Sequence, residues 1–184
     1  VDEAELVIAR VAKILKDSNT AVNPINVGVG CVMYCVLEMA KKDNIPTVMA
    51  GLGSEDLFAG YEWHTDYRNT YEPDDIQETL WRSFNDIDER DIRRDTAISN
   101  HFGIKVITPF LDSDLVEYGM QIHPSLKVTP EEKKIILRET AMRLGLPHAL
   151  AFQKRRAAQY GSGFDKVLTK LAKKNKLAVS EFLK

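Results

Sequence analysis

A helix-rich α/β fold carrying part of a parallel sheet is what the sequence predicts. Three observations carry the prediction. Thr47–Ala50 is apolar throughout and ends at Gly51-Leu52-Gly53, the pattern of a buried, central, parallel strand running into a tight loop. Amphipathic stretches with helix start and stop signals stand on both sides of it. Few further strands are visible in 184 residues, so the sheet is expected to need strands from outside this chain. The chain opens in the middle of a helical pattern, which carries the same expectation.

Taken in order, the spacing predicts a helix from Asp2 to Lys16, with an acidic first turn and Lys16 in its last. Asp17 to Asn23 is a polar break. Val27-Gly28-Val29-Gly30 reads as a glycine-broken apolar segment leading into a buried helix over Cys31–Ala40, closed by Lys41-Lys42. Gly28 and Gly30 permit either close helix packing or the approach of a ligand. Asp43-Asn44-Ile45-Pro46 is a turn before the strand. Tyr61–Arg68 is an aromatic-rich helix or loop in which His64 is expected to be half-exposed.

Pro73, followed by two aspartates, starts a helix to about Ile87, and Asp88 starts another to about His101 with Gly103 as its stop. Ile104–Ile107 is a short extended segment. Asp112 is the expected N-cap of the next helix, Leu115–Gln121. Thr129-Pro130-Glu131-Glu132 reads as the opening of a helix through Arg143, ended by Gly145 and Pro147. Lys154–Gly163 is a basic, glycine-ended loop. Two more helices follow, Phe164–Lys174 and Leu177–Leu183.

Composition narrows the function classes. The chain has 44% hydrophobic and 28% charged residues, with 25 basic against 27 acidic side chains and a net charge of -2. That balance gives no footprint for nucleic acid or an anionic membrane. No apolar run reaches the length of a transmembrane span, and no signal-like segment is present, so a cytoplasmic location is expected. Cys31 and Cys35, four residues apart with no CxxC or His partner, predict a buried pair of reduced thiols rather than a metal site.

The chemistry concentrates after the strand. Glycines at 51 and 53 let backbone amides approach an anion, the following helix start favours negative charge, and Glu55 and Asp56 are suited to hold Mg²⁺ against phosphate oxygens. Strand, glycine loop and helix also occur in α/β proteins with no ligand there. Other segments decide the matter. Gly51–Tyr61 resembles the signature G-E/Q-G-A/S-D-E-L/V-F-G-G-Y of the synthetase domain of asparagine synthetases and β-lactam synthetases. Ile92–Ala97 followed by Thr108-Pro109-Phe110-Leu111-Asp112 is similar to that family's L-x-R-x-D-x-A and R-V/L-P-F-L-D. Lys133 or Lys134 through Arg138 resembles K-x-x-L-R, and Leu146-Pro147 with Gln153–Ala157 resembles its L-P…R-x-K-x-A.

The resemblance covers about residues 20–165 in family order and implies a PP-loop ATP pyrophosphatase domain of adenine-nucleotide α-hydrolase-like fold. Residues 1–184 would be its C-terminal part. ATP adenylylates an aspartate-like carboxylate with release of pyrophosphate, and ammonia attacks the acyl-adenylate. ATP and Mg²⁺ are the implied cofactors. A small carboxylate such as aspartate is the implied substrate, with a homo-oligomer and a separate glutaminase subunit as possible partners. By match, Gly51, Gly53 and Ser54 contact nucleotide or pyrophosphate, and Glu55 and Asp56 hold the metal. Lys154 and Arg155 are the candidate catalytic cations and Arg156 a further pyrophosphate contact, with the register among the three left open; a solvated basic loop is the alternative.

The departures from the family pattern are specific. Leu52 replaces the Glu or Gln between the glycines, and the acid pair is Glu-Asp instead of Asp-Glu. Ala59 replaces the first glycine of G-G-Y, and Lys105-Val106-Ile107 replaces E-x-R. The ATP-gripping S-G-G-x-D-S does not occur in the 184 residues. A catalytically impaired member, acting as a nucleotide-binding or regulatory module, is therefore the second reading. A relative acting on another acid or on tRNA is the third.

Overall fold

The computed structural model describes residues 2–70, 72–154 and 156–183. Along the chain run α1 (Asp2–Asp17), α2 (Pro24–Lys42), β1 (Thr47–Met49), α3 (Ser54–Leu57), α4 (Glu62–Thr70) and α5 (Pro73–Asn85). Then come α6 (Arg93–Phe102), β2 (Lys105–Ile107), α7 (Ser113–Gln121), α8 (Ile135–Arg143), α9 (His148–Ala151), α10 (Ala158–Ser162), α11 (Phe164–Lys174) and α12 (Val179–Phe182). Two compact units result. The first combines Val1–Val48, Asp88–Ile107 and Arg155–Lys184; the second combines Met49–Ile87 and Thr108–Lys154.

The first unit is built on α1, α2, α6 and α11. Val7, Val11 and Leu15 recur every four residues on α1 and are buried with Val27, Cys31 and Leu37 of α2. Helix α2 starts earlier than its glycines suggested. Asn23 has extended backbone, and its side-chain oxygen accepts the Asn26 N–H at 2.9 Å, with Pro24 in the first turn. Gly28 and Gly30 therefore lie inside a continuous helix. Close packing is their role in the structure: a Cβ on Gly30 would stand 2.9 Å from Val11 Cγ1 and 3.0 Å from Ile98 Cδ1, and one on Gly28 3.0 Å from Gln159 Cβ.

The thiols divide. Cys31 is buried, and burial pushes its pKa up to about 12, an inert thiol; Cys35 is only half-buried. β1 and β2 form a two-stranded parallel sheet. The apolar run forms a strand over Thr47–Met49; in this chain Thr47 and Met49 are exposed and Val48 is half-buried. Before α6, Asp88–Ile92 forms a π-turn. It places Asp91 and Asp95 on the buried Arg94, whose Nη1 donates to Asp91 at 2.9 Å and Nε to Asp95 at 2.8 Å. Among the described residues, no helix is long and apolar enough to cross a membrane.

The second unit has its own core of Leu57, Phe58, Ile76, Leu80, Met120 and Val128. Asp112 caps α7 as its sequence position predicts, its Oδ1 accepting from the N–H groups of Asp114 at 3.1 Å and Leu115 at 3.3 Å. Helix α8 departs from the sequence reading. It begins at Ile135, not at Pro130, because Val128 bridges Lys133 in antiparallel fashion and the Thr129 N–H donates to Glu132 O at 2.8 Å. A tight loop takes the residues that looked like a first helical turn. His64 departs too. It is fully buried, with Nδ1 accepting the Tyr61 N–H at 3.1 Å and its ring against Trp63, so it is spent on closing the turn into α4.

A candidate pyrophosphate loop and its lysine

The glycine loop, α3 and the Pro109–Asp112 turn meet in the second unit. Gly53 has φ +94°, a left-handed conformation that glycine adopts without strain. A Cβ there would stand 2.5 Å from Leu111 Cδ2 and 3.3 Å from Phe110 O. Two of the segments that carry the family resemblance thus pack on each other, and the rings of Phe58 and Phe110 meet edge to face at 6.1 Å. Gly53→Ala is expected to lower stability by about 2 kcal/mol, from backbone strain and overpacking together. Urea denaturation measures it; an unchanged midpoint would mean the turn yields freely.

α3 is a single turn, so the helix-start charge expected after the loop amounts to little. Side chains supply the electrostatics instead. Ser54 Oγ donates to Glu55 Oε2 at 2.8 Å. Lys134 Nζ donates to Ser54 Oγ at 3.1 Å and forms an ion pair with Glu55 Oε1. Glu55 and Lys134 side chains retain 38% and 20% exposure, so solvent and ligands reach both. A pair this exposed contributes about 0–1 kcal/mol and is readily exchanged. Beside it Lys133 pairs with Glu62. Asp56 lies differently: it is fully buried and accepts from Ser83 Oγ at 2.5 Å, anchoring α3 on α5.

The backbone is shaped for Lys134. Its φ is +55°, as is that of Ala59, and neither is glycine. Such residues cost about 1–3 kcal/mol each and persist only where the surroundings enforce them. Gly60 opens the path, because a Cβ there would collide with Lys134 Cε and stand 2.9 Å from Glu55 Cα. Gly51 is exposed, with nothing within 4 Å of where its Cβ would be, which leaves the loop backbone open on that side.

Lys154 is exposed and, among the described residues, has no hydrogen bond or ion pair. Arg156 is exposed and belongs to the first unit, and Arg155 lies outside the described residues. Arg138 instead braces the lysine loop's helix, with Nη1 donating to Ala151 O at 3.2 Å and its guanidinium 5.4 Å from the Phe152 ring. Lys134 stands in the K-x-x-L-R segment, where the sequence offered the motif but no role for it.

The loop suits Mg²⁺ in one respect. Mg²⁺ typically binds one or two carboxylates together with substrate phosphates and keeps several waters, so one accessible carboxylate, Glu55, is a sufficient protein donor. Among the described residues there is no group of three or more His, Cys, Asp or Glu that could hold a metal without such a ligand.

The Gly51–Tyr61 and Pro109–Asp112 segments, which follow the family order, thus meet beside an acid–lysine pair. The chain belongs to the asparagine synthase family, whose model matches residues 68–181. It is 28% identical to a Methanocaldococcus jannaschii protein assigned by name to the glutamine-hydrolyzing asparagine synthetases, with 99% of this chain and 39% of that protein covered. It is also 28% identical to asparagine synthetase domain-containing protein 1 of Mus musculus, over 82% of this chain and 24% of the relative. For the glutamine-hydrolyzing asparagine synthetase B of Escherichia coli K12 the values are 28%, 72% and 24%. The chain thus spans about two-fifths or less of the length of these relatives.

Proposed function

We propose that the chain is the pyrophosphate-side part of an ATP-dependent amide ligase of the asparagine synthetase kind, in a PP-loop domain. The observation that carries this reading is Lys134, delivered by a left-handed backbone through the Gly60 gap onto Glu55 and Ser54. ATP and Mg²⁺ are the cofactors and aspartate the carboxylate substrate under this reading, as the family resemblance implies; the relatives' names give an asparagine synthetase. A bound Mg²⁺ would neutralise phosphate charge.

The chain's own residues then divide the work. Glu55 offers the metal-facing carboxylate. Lys134 offers a cation to a phosphate oxygen, held ready by Ser54, and stabilises charge that grows as pyrophosphate leaves. Asp56, buried on Ser83, fixes the loop. Gly51 leaves room for a ligand against the backbone. The basic run Lys154–Arg156 remains the proposed second source of positive charge.

The test is pyrophosphate and asparagine formation from ATP, Mg²⁺, aspartate and ammonia. Lys134→Ala is expected to lower pyrophosphate release about 100-fold, the scale of losing one transition-state donor. An active parent with a fully active Lys134→Ala would remove the lysine from the mechanism. Leu52, which cannot accept a proton where the family carries Glu or Gln, favours the second reading of a catalytically impaired binding module. Under it the protein binds Mg-ATP and releases no pyrophosphate with aspartate.

A further inference from the structure

We propose that Glu55 and Lys134 form a latch that makes a divalent cation and a polyphosphate bind as a pair. The inference rests on the pyrophosphate-site reading above and adds how that site is regulated. Each half of the latch is the natural ligand-binding group for one of the two species, and each is occupied by the other half. Pyrophosphate alone must draw Lys134 away from Glu55 and leave a carboxylate facing the incoming anion. A divalent cation alone must draw Glu55 away and leave an ammonium facing the metal. Together they satisfy both halves, Glu55 on the metal and Lys134 on a phosphate oxygen, so each species strengthens the other's binding by the same factor.

The sequence departure at this position gives the latch its reach. Where the family signature has the shorter acid, this chain has Glu55, and its extra methylene lets one oxygen take Lys134 while the other accepts from Ser54 Oγ. The neighbouring pair, Lys133–Glu62, has the same charges, but its acid stands on α4, outside the glycine loop, and it serves as an internal control.

Calorimetric titration of the full chain with sodium pyrophosphate, with and without Mg²⁺, tests the proposal in the parent, Glu55→Gln and Glu62→Gln. Without metal, Glu55→Gln is expected to bind pyrophosphate about ten-fold more tightly than the parent, while Glu62→Gln matches the parent. Mg²⁺ is expected to tighten the parent by about ten-fold and Glu55→Gln by less than about two-fold. Acetylation of Lys134 by a water-soluble ester, followed by peptide mass spectrometry and normalised to Lys133, is expected to rise in Glu55→Gln. No gain without metal, or an equal gain in Glu62→Gln, overturns the latch; if the parent still binds Mg-pyrophosphate, the site reading stands. Failure of all three proteins to bind Mg-pyrophosphate overturns the site and the latch with it.

Discussion

Arg94→Leu is expected to lower the stability of the first unit by about 3–5 kcal/mol, the range for removing one partner of a buried ion cluster. The guanidinium is 3% exposed, and Asp91 and Asp95 are 15% and 14% exposed. Leucine would fill part of the volume beside Gly30, where the Arg94 stem now packs, but would take the counter-charge from Asp95 and leave Asp91 with Arg90 alone. The pH dependence gives a second signature. Burial already pushes the Asp95 carboxyl above its ordinary value, and Arg94 holds it back. A carboxylate whose folded pKa is raised loses stability as pH rises from the unfolded value of 3.8 through the folded one, because the folded state then binds more protons. Without Arg94 that loss deepens. The deficit of Arg94→Leu should therefore be larger at pH 7.5 than at pH 4.5 in urea denaturation. Arg94→Met combined with Asp91→Asn and Asp95→Asn should recover most of it, since the buried charges are removed together and the charge that remains, Arg90, is 33% exposed and reaches solvent. A deficit below about 1 kcal/mol at pH 7.5 would show that water reaches the cluster.

Arg94 also shows what was legible in the sequence and what was not. Its segment resembles a family motif, and the sequence predicts a helix stopped by Gly103, because periodicity and a glycine stop are local signals. Asp91, Arg94 and Asp95 are neighbours in sequence, but only the fold shows that Arg94 is buried and that both carboxylates meet it there. The loop divides in the same way. Gly53, Ser54, Glu55 and Asp112 were assigned from turn, capping and acid patterns, and the structure packs their segments together. Lys134 carried no such signal. A lysine in left-handed backbone after Pro130-Glu131-Glu132 looks like the interior of a first helical turn until the Val128–Lys133 bridge forms. β1 was read as central because four apolar residues imply two covered faces, yet the described chain covers little of it. His64, polar and flanked by Trp63 and Thr65, gave no hint that its ring would be buried to close a turn.

Lys127→Met is expected to stabilise the second unit by about 3 kcal/mol at pH 7, a reversal of the usual cost of a core substitution. Lys127 is fully buried, and among the described residues its Nζ has no hydrogen-bond partner. Burial lowers its pKa from 10.5 to about 8. At pH 7 the folded protein thus holds a mostly protonated ammonium that no described residue compensates, and a shift of this size corresponds to about 3 kcal/mol. The sign follows from proton counting. Between about pH 8 and pH 10.5 the unfolded chain binds the proton and the folded chain does not, so stability rises with pH across that window. Below pH 8 both states carry the charge and the full cost applies. Methionine has nearly the same length and no charge, so it removes the cost and keeps the contacts around Val128. The advantage of Lys127→Met over the parent should be greatest at pH 7, shrink through pH 9 and nearly vanish by pH 10.5, with other lysines and tyrosines cancelling in the comparison. A variant less stable than the parent at pH 7 would mean that the ammonium is compensated in solution. The backbone makes the comparison clean, because the Lys127 carbonyl accepts the Ile135 N–H at 2.9 Å whatever the side chain. The start of α8, and with it the placement of Lys134 on Glu55, is then preserved in the variant. Under the proposed function, any magnesium and pyrophosphate affinity of the parent should accordingly be retained while stability rises.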